Sequence, residues 1–215
     1  MDHKLEKWIS WIKVIQGELE SLIIAKDVFW SVQDLIKTNP EIQKESIFYW
    51  YMGNTYVAYA LTAIRRQVKH DKQSISLAQL LAEIAQEPEK VSRKYYRSLY
   101  TGHGKGHFAD RHFDRFCQTP GDPHISQALV QRDLNELNSS ATGCEDFTDK
   151  RIAHRDKRTP KRLPKFGEAD NAIETLHQLC LKYRLMLLAD SQTTLLPTYQ
   201  YDWQEIFDYP WRRRE

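Results

Sequence analysis

With 215 residues, 41% of them hydrophobic and 28% charged, the chain is long enough to bury a core of its own and too apolar to be disordered. Eight glycines are about half the usual share, which argues against a sandwich or barrel built on tight turns. A net charge of +2 points by itself to no polyanionic partner, and three widely spaced cysteines (Cys117, Cys144 and Cys180) read as reduced thiols of a cytoplasmic protein.

The elements are predicted in chain order. From Asp2 to Thr38 apolar residues recur at steps of three and four, as in a long amphipathic helix stopped by Asn39-Pro40. Gln43 to His70 reads as a second helix in spite of its many aromatics. Ser76-Leu-Ala-Gln79 fits a capping box that opens a short helix to about Gln86. Pro88 suits the first turn of a fourth helix ending at Thr101, and Phe108 to Phe116 is helix-like. Gln118-Thr-Pro-Gly-Asp-Pro123 reads as a linker. Long helices follow at about Ser126–His154 and Glu168–Asp190, with a short one around Trp203 to Phe207. The expected class is all-α, a bundle of long antiparallel helices in a single domain spanning 1–215. Its last helix pair occupies about 124–191 and an appendage 192–215. No stretch approaches 18 uninterrupted apolar residues, so no membrane partner is expected, and the charged start MDHKLEKWISW lacks a signal-peptide pattern.

Charge is unevenly spread. Residues 150–165 hold eight Lys or Arg and one acid, a net +7 in 16 residues. This segment follows a helix whose apolar stripe runs Leu134, Leu137, Ala141, Cys144, Phe147. Continued at the same spacing, the stripe reaches Arg151 and His154, a polar pair at the end of a core-facing face. The same pattern also fits a helix end leaving the core, with cations complementing its dipole.

The octapeptide Asp149-Lys-Arg-Ile-Ala-His154-Arg-Asp156 resembles the signature of HEPN domains, the higher eukaryote and prokaryote nucleotide-binding superfamily. The nearest likeness is to its AbiU-like abortive-infection branch, and it extends to the helical layout and to 58–66 and 74–81. The resemblance implies an RNA-binding prokaryotic toxin or antiphage effector: a homodimer with metal-independent endoribonuclease activity at its cleft, held by a cognate antitoxin. It implies His154, Arg151 and Asp149 as the catalytic set. Lys150, Arg155, Lys157, Arg158, Lys161 and Arg162 would bind RNA phosphates. The family's ribonucleases carry an Arg that falls here on or near Thr148, where there is none, so Arg151 is the expected substitute. The alternative is a non-catalytic HEPN module for dimerisation or for nucleotide or RNA binding. A tyrosine modified in some family toxins corresponds here to Asp156, so that regulation is not implied. Two other Arg–His spacings, Arg65–His70 and Arg97–His103, match what chance supplies, about two.

No metal or other cofactor is expected. His103, His107, His112 and Cys117 match no standard zinc spacing. The glycines around Lys105 lack the Ser or Thr of a phosphate loop and read instead as a loop able to cover a site. The six tryptophans are expected to pack in the core.

Overall fold

A computed structural model describes residues 2–100, 106–152, 156–160 and 162–210, with backbone alone at 106 and 107. Among the described residues there is no strand, only one isolated antiparallel bridge between Ser92 and His124.

Helix α1 spans His3–Thr38, about 54 Å of rise. Asp2 caps it by accepting from the Lys4 backbone N–H at 2.9 Å. Its buried stripe is Leu5, Trp8, Ile12, Ile15, Leu19, Leu22, Ile23 and Phe29, the spacing that the sequence displays. Helix α2 is Ile47–Val68, four residues shorter at its start than expected. Asn39 caps a separate 3-10 turn over Pro40–Ile42, and the Ser46 hydroxyl opens α2 by accepting from the Phe48 N–H. Burial in α2 begins only at Tyr56, so its first turns overhang the core and Trp50 lies exposed, against the packing expected of it.

Helix α3 is Leu77–Gln86, with the Ser76 hydroxyl accepting from the Gln79 N–H at 3.1 Å as the capping pattern predicts. Buried Gln67 joins three helices. Its amide donates to Glu18 on α1, and its carbonyl accepts from the Leu77 N–H at the start of α3. The single helix expected after Pro88 is two elements, a 3-10 turn over Pro88–Lys90 and helix α4, Arg93–Ser98. Ser92 divides them, since its hydroxyl caps α4 through the Tyr95 N–H.

Helix α5 is Gly106–Phe113, followed by a 3-10 turn to Phe116. The expected linker 118–123 is a pinned turn rather than a joint. Arg93 donates to the Asp122 carbonyl and to the carboxylates of Asp110 and Asp114, and Asp114 in turn accepts from Gly121 at 2.9 Å. Gly121 has φ +95°, a conformation that favours glycine.

Helices α6 (Gln127–Phe147) and α7 (Phe166–Leu188) run antiparallel. Asp133 near the start of α6 holds Lys182 and Tyr183 near the end of α7, while Gly143 lies beside Arg162, just before α7 begins. The same pairing logic sets α1 against α7, through Trp30–Asp170 and Phe29–Phe166. The result is the all-α bundle that the sequence predicts. After α7, Ala189 turns the chain at φ 53°, and the last segment lies back on the bundle through buried Leu195 and the Tyr199–Asp27 hydrogen bond. No described helix is long and apolar enough to cross a membrane.

Candidate nucleic-acid interface

The end of α6 decides where the motif residues point. Leu137, Ala141 and Cys144 are buried, and the next residue on that face is Thr148, which is fully buried. Its hydroxyl donates to the Cys144 carbonyl at 2.7 Å and lies 3.3 Å from the Leu61 carbonyl of α2. From Thr148 to Ile152 the backbone widens into a π turn, whose bonds reach one residue further than those of an α-helix. The buried stripe therefore continues through Thr148 to Ile152, which packs against the core. Arg151 is turned to solvent, against the expectation that it would sit on the stripe. Its guanidinium donates to the backbone carbonyls of Lys150 and Asp156. His154, with Arg155 and Lys161, lies outside the described residues.

Three of the four remaining expected phosphate ligands are tied to acids. Lys150 meets Asp146 at 2.6 Å, one helical turn back. Arg158 meets Asp156 at 2.6 Å, and this contact holds the Asp156 carboxyl down to about 2. Arg162 engages both Glu168 oxygens, at 2.6 and 2.5 Å. That fork, with the Lys165 N–H donating to the same carboxylate, keeps Glu168 down to about 2. Lys157 is exposed. Extending the basic segment to 145–168 adds Glu145, Asp146, Asp149 and Glu168, so its net charge falls from +7 to +3. The fold thus holds Lys150, Arg158 and Arg162 in ion pairs with neighbouring acids.

Between the second half of α6 and the start of α7 lies a cleft of about 720 Å³, with Gly143, Glu145, Asp149, Arg162, Glu168 and Asn171 in its walls. Gly143 leaves the α6 surface bare where Arg162 crosses it; a Cβ there would meet the guanidinium at 3.5 Å. Asp149 is ion-paired with Arg65 of α2. Glu145, one turn before Asp149, has its carboxyl pushed up by burial and then by the Asp149 charge. Cys144 beneath the cleft is a buried thiol, pushed up by burial to about 11.

The cleft therefore brings together Asp149 and Arg162 of the expected set and adds Glu145 and Glu168, with Lys150 tied to its wall at Asp146 and Arg65 at Asp149. Arg65 belongs to a spacing match of the kind that chance supplies, so sequence carried no signal to separate it. Glu145 could be found only from its one-turn spacing to Asp149. Of the His and Cys group, His103 and the His107 side chain lie outside the described residues, His112 bonds Tyr100 at 2.8 Å, and Cys117 is buried against Arg93. Among the described residues no group of three or more His, Cys, Asp or Glu side chains is placed to hold a metal ion. No known protein family, curated protein or solved structure matches the chain.

Proposed function

We propose that this chain is an RNA-binding helical protein of the HEPN type, a prokaryotic toxin or antiphage effector that cuts RNA without a metal across a homodimer cleft. What supports RNA binding is that the basic segment joins α6 to α7, the two helices that flank the 720 Å³ cleft, and puts Arg162 in its wall. A phosphate competes with Asp156 and Glu168 for Arg158 and Arg162, whose own side chains are exposed. It gains charge-assisted, bidentate contacts from the arginines. Binding of this kind falls steeply with salt. Buried, unpaired thiols suit the reducing cytoplasm that this role requires.

In the proposed reaction His154 takes the proton of a ribose 2′-hydroxyl. The 2′-oxygen attacks the adjacent phosphorus, and the 5′-oxygen leaves with a proton from the partner's His154. The products are a 2′,3′-cyclic phosphate and a 5′-hydroxyl. In this reading the phosphate is held by an arginine, Arg151 or the Arg65 that pairs with Asp149. The test compares wild type with His154→Ala in cells, scoring growth and total RNA, and in vitro with and without chelator. Growth arrest and chelator-resistant cleavage by wild type alone are the expected outcome. Cleavage that survives His154→Ala and stops with chelator overturns it.

A second reading, a non-catalytic RNA-binding module, is favoured by one observation. Thr148, on or near which the resembled family carries its Arg, is buried. Salt-dependent RNA binding by wild type without cleavage at any enzyme concentration selects that reading.

A further inference from the structure

We infer that the exposed face of Phe166 is a stacking platform for an unpaired base of a single-stranded nucleic acid, a site that rests on the RNA-binding reading and gives it strand selectivity. Phe166 is the first residue of α7 and follows directly on the basic segment. Its ring belongs to a near-parallel group with Phe29 of α1 and Tyr56 of α2. The planes of Phe29 and Tyr56 differ by 7°, those of Phe29 and Phe166 by 15°, and those of Tyr56 and Phe166 by 8°. Trp30 meets Phe166 edge-on, with centroids 5.6 Å apart. Three helices thus fix the orientation of this ring, so a ligand need not order it. The ring nevertheless stays 43% exposed, and Leu163, three residues before it, is 72% exposed.

A second feature at the same place is unexplained by the fold. A cavity of about 40 Å³ between α2 and the start of α7 is walled by Tyr56, Pro164, Lys165 and Phe166, among others. Tyr56 is 7% exposed, and its hydroxyl is buried with no hydrogen-bond partner among the described residues. A hydroxyl left in that condition costs free energy that a polar edge or a bridging water recovers. Burial, and then the Asp170 charge, push this phenol far up, so it is a donor at neutral pH.

The occupant follows from the chemistry around the ring. Lys165 is exposed immediately before Phe166, and Arg162 lies three residues further back, so cations for the backbone precede an apolar ring for the base along the chain. Every base has a π face, which makes such a site tolerant of sequence. Bases inside a duplex are already stacked and cannot use it.

The test is fluorescence anisotropy of the full chain with a labelled 12-nucleotide single-stranded RNA and with the same sequence as a duplex. Phe166→Leu keeps an apolar side chain against Phe29 and Tyr56 but removes the ring; Phe166→Tyr keeps the ring. Phe166→Leu is expected to weaken single-strand binding about 5- to 100-fold and leave duplex binding unchanged, with Phe166→Tyr close to wild type. Unchanged duplex binding also certifies the fold of the variant. Wild-type single-strand affinity in Phe166→Leu overturns the platform and leaves RNA binding standing. Equal losses in both variants, or on both RNAs, also overturn the platform. A wild type that binds neither RNA at low salt overturns platform and RNA-binding reading together.

Discussion

The Arg65 guanidinium on α2 is ion-paired with the Asp149 carboxylate on the π turn, one turn along α2 from Leu61, whose carbonyl faces Thr148. An arginine thus stands beside the position where the resembled family carries one, delivered from a different helix. The Arg65 side chain is 21% exposed and ion-paired with Asp149, whereas Arg151 is solvent-facing and donates to two backbone carbonyls. A partly desolvated guanidinium is the stronger phosphate ligand.

The first prediction follows from that contrast. Arg65→Gln is expected to weaken RNA binding about tenfold, the scale of one charge-assisted contact. Arg151→Ala should change it less than about threefold. Arg65→Lys should recover only part of the loss, since an ammonium cannot form the fork. Anisotropy titrations at one fixed salt concentration measure all three, and the reverse order would identify Arg151 as the phosphate ligand.

Glu145 carries the pH dependence of the cleft. Its folded carboxyl titrates above the ordinary value, because burial and the Asp149 charge disfavour its ionised form. The folded state therefore binds this proton more tightly than the unfolded chain does. Stability from this group is present at low pH and is lost as pH rises through the folded value. Glu145→Gln removes the cost of ionisation. It is expected to raise Tm by about 1–2 °C at pH 7.5 and to give no gain near pH 4. Thermal melts at the two pH values decide it; a loss of Tm at pH 7.5 would mean that pairing with nearby cations outweighs burial.

The helices were legible where periodicity and caps agree. Ser76 and the stripe from Leu5 to Leu22 each sit as spacing alone predicts. Boundaries failed where a hydroxyl interrupts an otherwise helical run, at Ser46 and Ser92, because a cap and a helix-interior serine look alike in sequence. The site was less legible for a related reason. Projecting the α6 stripe by threes and fours assumes an unbroken α-helix, and the π turn at Thr148 rotates everything after it. Partners supplied from α2, such as Arg65, are invisible to any local pattern. The +7 of the basic segment is likewise offset by acids just outside it, at Asp146 and Glu168, which only the fold reveals as partners.

Two helix-interior glycines separate stability from function. Gly17 in α1 and Gly53 in α2 have nothing within 4 Å of where a Cβ would stand. Glycine in such a position costs about 0.8–1 kcal/mol relative to alanine, mostly through unfolded-chain entropy. The double substitution Gly17→Ala with Gly53→Ala should add about 2 kcal/mol and raise Tm by about 4–8 °C, leaving RNA affinity unchanged. Denaturant melts alongside anisotropy test both halves. A fall in affinity would show that one of these helices must flex for binding.

Restoring the family's arginine directly, by Thr148→Arg, is expected to fail for a reason visible only in the fold. Thr148 is fully buried, with its hydroxyl hydrogen-bonded to the Cys144 carbonyl and close to that of Leu61. A guanidinium placed there loses its water, crowds the α2–α6 contact and adds a like charge near Arg65. An uncompensated buried charge costs about 3–5 kcal/mol. For a chain of this size that lowers Tm by about 6–20 °C. Thr148→Ser, which keeps the hydroxyl and removes one methyl, should cost about 1 kcal/mol. Thr148→Val keeps the volume and loses the hydroxyl, at about 1 kcal/mol for the hydrogen bond. Urea melts of the three variants are expected to rank Arg far below Ser and Val. If Thr148→Arg folds with wild-type stability and gains cleavage, the π turn must rearrange to carry an arginine into the cleft, and the stripe through Thr148 and Ile152 would then describe a resting state rather than the one that acts on RNA.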